Sequence, residues 1–149
     1  MLTENDFKVT SMYPHRVLLA VDDDDDISSQ KAFNYACTIA KMANLPLAIV
    51  SVLETGDMNI FQSLSPDVLD QRRAEISAHL DTYLAKAKEF GVENAEKRLG
   101  EGRPEHVLLD TLIPDFEPDL IVLGSHHHRV GHVAAAVVRE STASVIVVR

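Results

Sequence analysis

The sequence predicts an α/β domain: a doubly wound, five-stranded parallel sheet with helices on both faces. Three observations predict it. Short β-branched runs alternate with longer amphipathic ones along nearly the whole chain. The best of these runs carry no polar alternation, which is the pattern of strands buried on both sides of a parallel sheet. Parallel neighbours require crossovers, and crossovers are overwhelmingly right-handed, so the helices must be distributed over both faces.

RVLLAV (16–21) is the first strand and LPLAIVSVL (45–53) the second. Between them, SSQKAFNYACTIAKMANL (28–45) places Ala32, Tyr35, Ala36, Ile39, Ala40 and Ala43 at helical spacing, with Ser28 or Ser29 available as N-cap. The stretch from Ser65 to Gly91 reads as the longest helix: a cap serine, Pro66 at its first position, an acidic first turn and a glycine stop. A more polar third strand, AEKRLG (95–100), leads to a helix over 103–116 opened by Gly102 and Pro104. DLIVLG (119–124) is the fourth strand, VAAAVVREST (133–142) a helix and SVIVVR (144–149) the last strand.

A chain of 149 residues suits one domain, here 14–149 behind a flexible tail of residues 1–13. Fourteen Lys and Arg against 23 Asp and Glu give a formal charge of −9, which argues against nucleic acid and anionic membrane as partners. Cys37 is the single cysteine and lies on an apolar helical face, so it reads as a small buried hydrophobe in a reducing compartment. The first dozen residues lack the apolar run of a signal peptide, and nothing approaches a membrane span. A cytoplasmic protein is expected.

Ligands of doubly wound sheets sit beyond the carboxyl ends of the strands, where the winding reverses. The loops after strands one and four are therefore the ones that matter, and they are DDDDDISS and GSHHHRVGH. The aspartates read as a solvated run in which Asp25 or Asp26 caps the next helix, as a single pocket residue at Asp22, or as Mg²⁺ ligands. His126, His127, His128 and His132 suit transition metals, although adjacent loop histidines rarely converge on one ion. The two runs are expected to face each other, with raised imidazole pKa values. No Walker loop, GxGxxG, GxSxG or CxxC is present, and no catalytic nucleophile is nominated.

RVLLAVD, SVLE, EGRPEHVLLD, DLIVLGS and the terminal SVIVVR together resemble the universal stress protein family. That resemblance implies strand order 3-2-1-4-5, an adenine nucleotide alpha hydrolase-like sheet, a homodimer paired through the last strand and, in many members, an ATP site with Mg²⁺. It matches Asp22 and Val52 to the residues that hold the adenosine and Gly124 to the leading glycine of the loop that holds ribose and phosphates. The candidate nucleotide-binding residues are Ala20, Val21, Asp22, Val52, Leu123, Gly124, His126, His127, Gly131, His132 and Val133. The family signature G-x2-G-x9-G-[S/T] fails after Gly124: His127 stands at the second glycine, Gly131-His132 stands for G-[S/T], and six residues are missing. Losing two charge-assisted contacts at roughly 1.5 to 3 kcal/mol each lowers affinity by about two to four orders of magnitude. The expectation is a regulatory or binding domain of the stress response, not an enzyme, with weak or altered ATP binding. Its alternatives are a dimeric signalling protein that binds no nucleotide and a slow ATP-hydrolysing enzyme.

Overall fold

β1 (Val17–Ala20) and β2 (Leu47–Glu54) form where the apolar runs are densest, and both bury side chains on their two faces. The structure, a computed structural model, describes residues 4–22, 27–55, 65–125 and 130–149. Within them the order is β1, α1 (Ile27–Ala43), β2, α2 (Pro66–Phe90), β3 (Ala95–Gly102), α3, β4 (Leu120–Gly124), α4 (His132–Glu140) and β5 (Ser144–Val148). α3 runs through Pro104–Val107, a π-helical turn at Leu108–Leu112 and Ile113–Phe116.

The sheet is wholly parallel, in the order β3-β2-β1-β4-β5. Its side-chain alternation splits the core in two. Val17, Leu19, Leu47 and Ile49 point toward α1 and α2, where they meet Ala36, Cys37, Ile76 and Leu80. Leu18, Ala48, Val50 and Ile121 point the other way, against Leu108, Leu112 and Phe116 of α3 and Val137 of α4. The doubly wound arrangement follows directly, because each face of a two-sided apolar sheet must be covered.

Several boundaries differ from the sequence reading. β3 extends two residues further than AEKRLG, because its whole length pairs with β2, from Leu47↔Ala95 to Glu54↔Gly102. α4 starts at His132 and stops at Glu140. In α1, Tyr35 and Ala43 of the expected apolar stripe are exposed, whereas Cys37 is buried as expected. Burial pushes the Cys37 thiol up to about 11. Ser28 and Ser29 are not caps; both lie inside α1 and are buried. Ser65 does occupy the N-cap of α2 ahead of Pro66, but without a side-chain hydrogen bond. At the other end Gly91 takes φ 118°, and its N–H reaches the carbonyls of Ala87 and Lys88, at 3.2 and 3.1 Å.

The wide turn in α3 lies just ahead of Pro114, which has no N–H and whose ring crowds the preceding turn. Gly100 lets this helix approach the sheet, since a Cβ there would come within 2.3 Å of Val107 Cγ1. At the amino end of the sheet, the Asp119 carboxylate accepts the backbone N–H of His15 at 2.8 Å and of Arg16 at 2.9 Å. Arg16 Nε donates to the Phe116 carbonyl at 2.8 Å, with its guanidinium 4.2 Å over the Phe116 ring. Burial raises the Asp119 carboxyl, but the N–H groups of Arg16 and His15 and its own outweigh this and hold it below the usual range.

Candidate functional site

In this strand order the winding reverses between β1 and β4, and a pocket of about 440 Å³ opens there beyond the carboxyl ends of β1, β2 and β4. Its inner wall is built by continuing strand geometry. The Val21 N–H donates to the Val50 carbonyl at 2.9 Å, one residue past the end of β1, and Ser51 Oγ donates to the Val21 carbonyl at 2.9 Å. These two bonds deliver Asp22 to the pocket. Val50, Val52 and Glu54 alternate onto the same face of β2 and form the next stretch of wall.

Two helix N-termini reach the same place. Ser29, near the start of α1, lines the pocket, and Gly124 at the end of β4 packs directly against that helix. A Cβ on Gly124 would lie 2.9 Å from the backbone C and O of Ser28 and 3.1 Å from the Ser29 nitrogen. Neither Gly124 nor Gly131 uses the left-handed region, so what Gly124 supplies is space. Ser28 and Ser125 sit buried behind it with their hydroxyls 3.5 Å apart.

α4 begins with Gly131 as N-cap and has no side-chain capping bond; its first helical hydrogen bond runs from the Ala135 N–H to the Gly131 carbonyl at 2.9 Å. The N–H groups of His132, Val133 and Ala134 therefore precede the intrahelical ladder, at the pocket wall. Such a helix end attracts negative charge. His132 stands largely exposed at this end, with Nε2 3.7 Å from Glu105 Oε1, while His106 approaches the same oxygen at 3.9 Å. The Glu105 carboxyl is held below its ordinary range, first by its own backbone N–H, against burial, with His132 and His106 adding to the effect.

Of the residues singled out in the sequence, the structure brings Ala20, Val21, Asp22, Val52, Leu123, Gly124, Gly131, His132 and Val133 around this one pocket. His126 and His127 lie outside the described residues, as do Asp23 to Asp26, so the facing of the two charged loops and their metal readings do too. Among the described residues no group of three or more His, Cys, Asp or Glu could hold a metal ion, and no helix is long and apolar enough to cross a membrane. Sequence reasoning missed Ser29 as a pocket residue, Glu54, and Arg72 from the first turns of α2. The even spacing of Val50, Val52 and Glu54 was the signal for Glu54. No local pattern announces Arg72, whose position depends on how α2 docks.

The description of the Universal stress protein family matches residues 14–149. A Staphylococcus saprophyticus protein assigned to that family is 30% identical over 139 residues, spanning 89% of this chain and 82% of the relative. Among solved structures, the universal stress protein UspA from Lactobacillus plantarum superposes with TM-score 0.73 at 25% identity, covering 91% of this chain and 99% of its own. A universal stress protein in complex with cAMP superposes with TM-score 0.67 at 27% identity, covering 93% and 99%. Sequence and fold thus agree over nearly the whole length: this chain belongs to the universal stress protein family.

Proposed function

We propose that this protein is a regulatory member of the stress response that binds an adenine nucleotide in the pocket between β1 and β4, weakly when the ligand is ATP, and catalyses no reaction. One observation carries this reading: a pocket at the reversal of the sheet gathers Asp22, Val52 and Gly124 opposite the N-terminus of α4, which has no side-chain cap. Asp22 and the β2 wall would take the nucleoside, and the α4 N–H groups the phosphate. A relative of 27% identity that was solved with cAMP supports the ligand class.

Weak ATP binding is supported by the six residues missing from the family signature and by the carboxylates of Asp22 and Glu54 in the lining, which oppose a polyphosphate. Mg²⁺ carried in with ATP would offset part of that repulsion. Titration calorimetry with ATP, with and without Mg²⁺, is expected to give dissociation constants weaker than roughly 100 µM, near −5.5 kcal/mol. Submicromolar binding contradicts the weak-ATP reading. Mass spectrometry of ligand released on denaturation checks the ligand class, and phosphate release over hours checks the absence of catalysis.

The same reading makes the protein a cytoplasmic homodimer paired through β5. Val145, Ile146 and Val147 are only partly buried on that edge strand, and the adjacent groove on α1 is lined by the exposed Tyr35 together with Ile39 and Val148. An unpaired apolar edge is a liability that pairing removes. Sedimentation equilibrium is expected to give twice the chain mass, and Ile146→Lys to return it to the monomer.

A further inference from the structure

Residues 4–13 are exposed at every position, yet they carry Phe7, Val9, Met12 and Tyr13, with exposures of 70%, 93%, 92% and 64%. Their own chain leaves these apolar side chains largely uncovered, and so dense an exposed apolar stretch marks an interaction surface. The match to the family begins at residue 14, so this segment lies outside what the family shares. Its root is fixed: Asp119 holds the N–H groups of His15 and Arg16, and the Tyr13 ring meets that of His15 edge-on at 5.4 Å. The segment therefore leaves the body at the amino end of β1.

A groove of about 570 Å³ lies between α1 and the edge strand β5, lined by Lys31, Asn34, Tyr35, Thr38, Ile39 and Val148. Tyr35 and Ile39 stand about 6 Å apart along the helix. In an extended chain Phe7 and Val9 share one face at roughly 6.6 Å, so the two pairs match in spacing. Lys31 sets a positive charge at the rim, where its Nζ donates to the Arg149 carbonyl at 3.3 Å. The segment brings Glu4 and Asp6 against a single lysine, Lys8.

A two-fold axis that sets one β5 beside another makes the two strands antiparallel. The amino end of one sheet then adjoins the carboxyl end of the other, where Val148 and the first half of α1 open the groove. β1 stands two strands in from β5, so the root of a partner's segment lies about three strand spacings, roughly 14 Å, from this groove's edge. The stretch from Tyr13 back to Phe7 reaches up to about 23 Å. A copy's own segment would instead have to travel the length of its sheet to reach its own groove.

We propose that residues 4–13 form an exchanged arm, which seats Phe7 and Val9 in the α1–β5 groove of a second copy of this chain. This rests on the β5 dimer of the preceding reading and adds to it what covers the groove. Sedimentation equilibrium on the full chain is the test. The double variant Phe7→Ser, Val9→Ser is expected to weaken dimerisation at least about tenfold, and Thr38→Arg, which fills the groove, to do the same. All three positions are exposed, and circular dichroism verifies the fold. Mixing the two variants restores one sound arm on one sound groove, so the mixed dimer should be several-fold tighter than either variant alone; an arm folded onto its own groove yields no such gain. An arm variant as tightly dimeric as the wild type, or a mixture no tighter than its components, overturns the inference and leaves the β5 dimer standing. A monomeric wild type overturns the inference together with the dimer beneath it.

Discussion

The two ends of this sheet handle polar groups in opposite ways. At the amino end, Asp119 is met by the N–H groups of His15 and Arg16, and Arg16 is held by the carbonyl and ring of Phe116. Donors and acceptors there are matched within the chain. At the carboxyl end, α4 starts without a side-chain cap and its first N–H groups border a pocket, with Asp22, Glu54 and Arg72 around it. One end is clamped by main-chain hydrogen bonds, and the other borders the pocket, at the place where doubly wound sheets hold their ligands.

The contrast can be broken most severely from the amino end. Phe116→Ala removes a fully buried ring and the surface under Arg16, and should cost about 3 to 5 kcal/mol in urea unfolding. Gly124→Ala attacks the carboxyl end through packing instead: the new methyl meets Ser28 backbone, which cannot swing aside, so a loss of about 1 to 3 kcal/mol is expected. Ligand binding by that variant should weaken as well, since α1 and β4 both border the pocket. Ser51→Ala leaves the Val21 carbonyl without its hydroxyl donor at the base of the pocket and should cost about 1 kcal/mol.

The smallest effect is expected at Asp119, which is exposed. Its folded-state pKa is depressed, so its contribution is present above the unfolded carboxyl value and is lost as pH falls through the folded one. Asp119→Asn should therefore lower stability at pH 7 by about 1 kcal/mol or less, after discounting for solvent. Near pH 2 the variant and the parent should converge. A difference that grows toward acid would contradict this account of the clamp.

Much of the architecture could be read in the chain because a strand buried on both faces leaves an unmistakable apolar run, as RVLLAV and DLIVLG do. Proline and glycine at the ends of α2 were equally legible, since Pro66 and Gly91 act through their own backbone. The misjudged details depend on packing. A serine before an amphipathic run suits a cap, yet Ser28 and Ser29 lie inside α1, buried where that helix packs against Gly124. Tyr35 lies within the helical stripe by spacing, but α1 is rolled so that its ring is left exposed while Cys37, as expected, is buried. The pocket was legible along β1, β2, β4 and the start of α4, where consecutive residues carry it. Arg72 was not, because its place is set by the docking of a helix whose local sequence says only that it is a helix.

The π-helical turn of α3 has a mechanical consequence. Pro104, Leu108, Leu112 and Phe116 recur every four residues, and in a regular helix such a row drifts by roughly 40° per step. A widened turn at Leu108–Leu112 takes up part of that drift, keeping Leu108 at the pocket floor in line with Phe116 beneath Arg16. Removing one residue from that turn would rotate Phe116 by roughly 100° relative to Leu108 and draw its ring from beneath Arg16.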